Sequence, residues 1–319
     1  MKGADSKKVV LAALAGNIAI AACKFGAAYM SKSTATLAEA VHSLADTGNQ
    51  ALLLVGIRLA MRPASDRFPF GRASERYFWP FIVALLLFSV GGAFAVFEGM
   101  NQLLAPSTEA PARVWSYAVL GLSLLFEGLS FRVALVEFRV MAGDKPWKKA
   151  ILSTRDPTIP LVLAEDATAI LGLSIALVAV VLSDVTGHAF WDPAGSVVIG
   201  LLLCGVAIVL ARVTHGLLIG ESATIEDQDK ARSLAETTDG VQGVTQMLTM
   251  HLGPDVVILA MKVAFRPTLT VEEVEATTNR IEARIRAELG HMRKIFIEAD
   301  SRGDGRGVPP RSSRPGVLS

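Results

Sequence analysis

The chain has 319 residues, of which 51% are hydrophobic and 19% charged, and its mean hydropathy is +0.44. Soluble domains carry roughly a quarter charged residues, so the composition excludes an ordinary soluble domain, and its apolar content excludes a disordered chain. Lys plus Arg number 31 and Asp plus Glu 30; so even a balance argues against a nucleic-acid binder, which should be visibly basic.

Six apolar stretches reach the roughly 20 residues that a bilayer crossing needs. They fall near 9–30, 36–59, 77–103, 114–137, 158–183 and 193–217. The first follows Lys7 and Lys8 and has the outline of a signal peptide. It is longer than the ~7–15 residues of an h-region, and Asn17 and Lys24 interrupt it, so it reads as a retained helix. Cys23 and Cys204 lie in apolar runs at a spacing that fits no zinc finger, and read as small core residues.

The link after the second stretch carries Arg58, Arg62, Arg67, Arg72 and Arg76, and the link after the fourth carries Arg139, Lys145, Lys148, Lys149 and Arg155. The alternate links carry only Lys32 and Arg113. The positive-inside rule then places both termini in the cytoplasm, and the Arg58–Arg76 link reads as a topology signal in contact with lipid headgroups, with an electrostatic lock between protomers as the sharper alternative. Trp79, Trp115, Trp147 and Trp191 lie near predicted span ends, as an interfacial aromatic belt requires. No organellar presequence is evident, and the expected location is the cell (inner) membrane.

After Gly220 the charges return and the apolar runs shorten. Glu226–Thr238 reads as an amphipathic helix. Val244–Leu252 and Val256–Phe265 read as strands around the turn Gly253-Pro254-Asp255. Thr270–Leu289 reads as a helix opened by a capping box of Thr270 and Glu273, and Lys294–Glu298 as a last strand. The order α-β-β-α-β predicts a small ferredoxin-like α+β domain. The expectation is a multi-pass α-helical membrane domain over 1–219, a cytoplasmic domain over 220–301 and a disordered tail over 302–319.

Polar residues inside the spans carry the functional information. An ionisable group at membrane depth costs at least ~2.5–3.5 kcal/mol on insertion scales, so it faces a protein interior or a water path. The second span holds Glu39, His42, Asp46, Asn49 and Gln50; the fifth holds the adjacent Glu165 and Asp166; the first holds Asn17 and the fourth Glu127. His42 and Asp46 are four residues apart and share a helix face, about 6 Å apart along the axis, which Asn49 continues. An imidazole and a carboxylate on one turn can hold a divalent cation that a carboxylate from another helix completes. Nitrogen and oxygen donors suit zinc, cobalt, iron or manganese and disfavour Cu(I). The competing reading is a His–Asp hydrogen bond that glues helices together; the second acidic pair weighs against it. Asn17 and Glu127 divide between the ion path and pairing of neighbouring helices.

The run Leu37-Ala38-Glu39-Ala40-Val41-His42-Ser43-Leu44-Ala45-Asp46 resembles the second-helix signature of the cation diffusion facilitators. So do Phe68-Pro69-Phe70-Gly71, Glu75-Arg76-Tyr77-Phe78-Trp79, Asp192-Pro193-Ala194-Gly195-Ser196 and Leu218-Ile219-Gly220-Glu221. The Glu165-Asp166 pair and Met250-His251-Leu252-Gly253-Pro254 are most similar to the zinc transporter 9-like branch. The resemblance implies a homodimer that moves cytoplasmic Zn²⁺, or Co²⁺, Fe²⁺, Mn²⁺ or Cd²⁺, in exchange for protons, with no prosthetic group. It implies a transport site of two second-helix and two fifth-helix residues, which map onto His42, Asp46, Asp166 and Val162. Valine cannot bind a metal, so water or Glu165 completes the shell. It also implies that the 220–301 domain dimerises and regulates; in it His251, His291, Glu298 and Asp300 read as solvated surface residues. Two other readings stand beside export by antiport: a membrane metal sensor or scaffold without transport, and a metal-dependent membrane enzyme. The flux direction is open.

Overall fold

The computed structural model describes residues 5–31, 34–104, 113–144, 146–152, 156–188 and 190–300. The expected tail at 302–319 lies outside them, as do Lys145, Arg155 and the side chains of Glu39, His42 and Trp115. The chain divides into two compact units, residues 1–218 and 219 onward.

The described part of the first unit is helical, because apolar runs in lipid must satisfy their own backbone N–H and C=O groups. Its helices are α1 (Ser6–Ser31), α2 (Thr34–Ala60), α3 (Glu75–Leu86), α4 (Phe94–Leu104), α5 (Arg113–Ala142), the short α6 (Trp147–Leu152), α7 (Thr158–Thr186) and α8 (Trp191–Ile219). A π-helical turn, Leu87–Ala93, joins α3 and α4 into one span. Counting that span as one, five of these helices are long and apolar enough to cross a membrane. The sixth, α2, has 27 residues, about 40 Å at 1.5 Å per residue, and Asp46, Asn49 and Gln50 dilute its hydropathy. The protein is a multi-pass membrane protein.

The π-helical turn has no counterpart in the expected continuous third span. Such turns insert an extra residue into a helix. Here the segment brings Gly92 against α8. A Cβ on Gly92 would lie 2.5 Å from Cys204 Sγ and 2.9 Å from the Cys204 backbone nitrogen. This is helix packing inside the bundle, of the small-residue kind that membrane helices use. Cys204, expected in the core, is half-buried in that contact, and Cys23 is half-buried too.

α1 packs against α2, α5 and α7; α5 packs against α7, and α2 against α3. The apolar core between them includes Leu53, Phe138, Ile159, Leu161 and Val162. At one end of the bundle the Asp5 backbone N–H donates to Glu137 at 3.0 Å, and Lys8 donates to the same carboxylate at 2.7 Å. Arg76 donates to the Ser6 hydroxyl at 2.9 Å and pairs with Asp156, which also accepts from Ser6. Arg72 pairs with Glu75 at 2.5 Å and lies over the Phe68 ring. Arg72 and Arg76, expected as headgroup contacts, are thus engaged within the chain, because carboxylates enter the same helix ends.

The second unit comprises α9 (Ile225–Glu236), β1 (Val241–Gly253), β2 (Val256–Phe265), α10 (Val271–Glu288) and β3 (Lys294–Asp300). The α-β-β-α-β order is as expected. β1 and β2 pair antiparallel, and β2 and β3 pair parallel, in the order β1-β2-β3. Alternate residues of β2, namely Val257, Leu259, Met261 and Val263, are buried with Ile281 and Ile285 of α10, the period-two pattern of a strand covered on one face. β1 starts three residues earlier than its apolar alternation suggests. Gly240 turns the chain at φ +97°, and bulges near Val241 and Val244 interrupt the alternation. His251, expected at the surface, is buried; its backbone N–H donates to the Glu221 carbonyl at 2.9 Å, which draws this part of β1 inward. His291 faces Asp227 at 3.3 Å.

The expected capping box is present at α10. The Thr270 backbone N–H and then its hydroxyl, both donating to Glu273, hold that carboxyl below the usual carboxylate range. A depressed native value stabilises the fold above the ordinary carboxylate range, and that stability is lost as pH falls through the native value. Hydrogen exchange of the first turn of α10 in the full chain should therefore be slower than in Glu273→Gln at pH 7. The two should converge as pH falls through the lowered native value, below which the carboxyl is neutral in both states.

Candidate metal centre

The polar residues of the spans meet where α2, α5 and α7 face one another. Glu165 and Asp166 are adjacent, so they project about 100° apart around α7, and each finds a different helix. Gln50 Nε2 of α2 donates to Glu165 Oε2 at 2.7 Å. Ser130 Oγ of α5 donates to Asp166 Oδ2 at 2.7 Å. Gln50 is fully buried, Asp166 is 2% exposed and Glu165 9%. Asn49 approaches the Glu165 carboxylate.

Asp46 of α2, Asp166 and Glu127 of α5 all lie within electrostatic reach of Glu165. Glu127 in turn senses Asp46, Asp166 and the cation of Lys24 on α1. Four carboxylates from three helices therefore share one region, and Asp46 alone among them is only half-buried. Buried like charges repel strongly where the dielectric is low, so such a cluster needs cations or protons to persist. Asn17 is buried on α1.

The expected metal residues are thus brought together in part. Asp46, Asp166 and Glu165 share the region, whereas the side chain of His42 lies outside the described residues. Among the described residues no three His, Cys, Asp or Glu side chains converge tightly enough to hold one ion. Val162, one turn before Asp166, is fully buried in the apolar core. Sequence reasoning missed Gln50 and Ser130 as partners of the two carboxylates. Gln50 lies four residues after Asp46 and Ser130 three after Glu127, so helical spacing placed each on a polar face already recognised.

Comparison with known proteins decides the family. The cation efflux transmembrane domain matches residues 10–219, and the cytoplasmic domain of cation efflux proteins matches residues 224–302. The chain belongs to the cation efflux (cation diffusion facilitator) family. Members of this family are metal-ion transporters. The chain is 31% identical to metal tolerance protein C4 of Arabidopsis thaliana over 301 residues, 94% of this chain and 64% of that protein. It is 32% identical to the mitochondrial proton-coupled zinc antiporter SLC30A9 of Homo sapiens over 248 residues, 77% of this chain and 44% of that protein. It therefore spans about half to two-thirds of these relatives' length. It is also 26% identical to the magnetosome protein MamB of Magnetospirillum gryphiswaldense, over 84% of each chain. Among solved structures, a nickel form of a MamM C-terminal domain variant aligns with 25% of this chain and 99% of that one, at 20% identity and a TM-score of 0.24.

Proposed function

We propose that this cation efflux family member moves a divalent metal ion, Zn²⁺ foremost, across a membrane in exchange for protons, as a homodimer with both termini in the cytoplasm. The observation that carries the reading is the group of buried Glu127, Glu165 and Asp166 with half-buried Asp46, on α2, α5 and α7. Ionisable residues at membrane depth mark ion pathways and proton relays. Asp46 and Asp166 bind the ion together with His42, and Glu165 stands in for the donor that Val162 cannot supply. The names of the SLC30A9 relatives, proton-coupled zinc antiporters, support both the metal and the coupling.

Binding requires ionised carboxylates and a neutral imidazole, so loading the ion displaces protons. Reprotonation on the opposite side weakens the site and releases the ion. The ordinary pKa of imidazole, near 6.5, suits His42 to this exchange. The ion is carried unchanged, which makes the protein a transporter and not an enzyme. Residues 220–301 form the dimerising, cytoplasmic domain, the basic links support the orientation, and the proposed location is the cell (inner) membrane.

The test is metal flux in proteoliposomes under an imposed pH gradient, with Zn²⁺, Co²⁺, Fe²⁺, Mn²⁺ and Cd²⁺ compared. The parent should show gradient-dependent flux, and Asp46→Ala should show the background of empty vesicles. Normal flux in Asp46→Ala would remove Asp46 from the site. Absence of flux for every metal in a folded parent would overturn transport in favour of a sensor or scaffold.

A further inference from the structure

The hydrogen bond between Gln50 and Glu165 leaves one oxygen unused on each side. Gln50 Nε2 donates to Glu165 Oε2. Among the described residues, Gln50 Oε1 and Glu165 Oε1 are buried and accept no hydrogen bond. A buried acceptor without a partner is destabilising, and here two belong to groups that one 2.7 Å bond joins. With Glu165 ionised, as metal binding requires, neither oxygen can satisfy the other, because an amide carbonyl and a carboxylate oxygen both only accept. The pair calls for a positive species that binds both. Gln50 follows Asp46 by one helical turn on the same face of α2, within the region that Asp46, Asp166 and Glu127 make negative.

We propose that Gln50 is itself a ligand of the transported cation. Its Oε1 supplies a neutral oxygen donor from α2, while its Nε2 holds Glu165 so that Glu165 Oε1 faces the same ion. The amide thereby does two things: it adds, from the facing helix, an oxygen donor beside Glu165, and it fixes the rotamer of that carboxylate. A set of amide and carboxylate oxygens is harder than one with a second imidazole. It suits divalent ions that accept oxygen donors and more than four ligands, Mn²⁺ and Co²⁺ beside Zn²⁺. This inference rests on the transport-site reading above, and the experiment separates the two.

The experiment is Co²⁺ and Zn²⁺ binding to the purified full chain in detergent, with Co²⁺ also followed by its visible absorption. Gln50→Leu, Gln50→Glu and Asp46→Ala are compared with the parent, and size-exclusion elution reports folding. Gln50→Leu should weaken Co²⁺ binding at least about tenfold and alter the Co²⁺ spectrum, because the donor set changes. Gln50→Glu keeps an oxygen in place, so it should retain binding with a spectrum that differs from the parent's. Parent affinity and an unchanged spectrum in Gln50→Leu would overturn the proposal; if that variant does not fold, the same result in Gln50→Glu would do so. Binding lost in Asp46→Ala but unaltered in the Gln50 variants would sink this inference alone. Parent-like binding in Asp46→Ala, or none in the parent, would sink the site reading and this inference with it.

Discussion

Asp166→Asn should reduce metal flux to that of empty vesicles while leaving the protein folded. Asp166 is 2% exposed and accepts the Ser130 hydroxyl at 2.7 Å. The carbonyl oxygen of an asparagine can accept that same hydrogen bond, so the contact between α5 and α7 survives. What is lost is the anionic oxygen. Changes to groups that merely orient a ligand typically cost 10- to 100-fold in metal affinity, so removal of the ligand charge should cost at least about 100-fold. Flux and equilibrium binding on the same preparation check this. Parent-like binding would show that Asp166 is a helix-pairing residue whose business is Ser130.

Gly200→Ala should have the largest effect on stability of any single methyl addition to the bundle. A Cβ at residue 200 would lie 2.7 Å from the Val96 backbone nitrogen and 2.8 Å from the Gly92 carbonyl oxygen. Backbone cannot swing aside as a side chain can, so α8 must move away from the π-helical turn and α4. Overpacking of this kind costs about 1–3 kcal/mol, and the upper end applies here. Helix propensity alone favours alanine over glycine by about 1 kcal/mol, so the sign depends on the steric contact. Gly128→Ala on α5 is the control, since a Cβ there meets nothing within 4 Å. Thermal unfolding in detergent should show a lowered midpoint for Gly200→Ala and an equal or raised one for Gly128→Ala.

These cases mark what could be read from the sequence. Length and hydropathy specify a membrane span strongly, because lipid leaves the backbone one way to satisfy itself. The six long helical segments and the α-β-β-α-β order followed from that and from local turn and cap chemistry, as with Thr270 and Glu273. The π-helical turn at Leu87–Ala93 did not, because it depends on how closely α8 approaches Gly92, a tertiary condition. The same limit applied at the site. Spacing along α2 and α7 singled out Asp46, Glu165 and Asp166. It could not reveal that the two adjacent carboxylates turn to different helices, nor that an amide and a hydroxyl meet them there. Arg76 was legible as charge but not as an ion pair, since its partner Asp156 lies 80 residues away.

The most direct measurement of the central claim follows metal and protons in the same vesicles. Proteoliposomes would carry one lumenal dye for Zn²⁺ and one for pH, and Zn²⁺ would be added outside with no imposed proton gradient. The account predicts that Zn²⁺ entry is saturable and is accompanied by a rise in lumenal pH as protons leave, and that Asp166→Asn abolishes both signals together. Zn²⁺ entry with no change in lumenal pH would contradict coupling through these carboxylates, and loss of one signal without the other in Asp166→Asn would contradict a shared site.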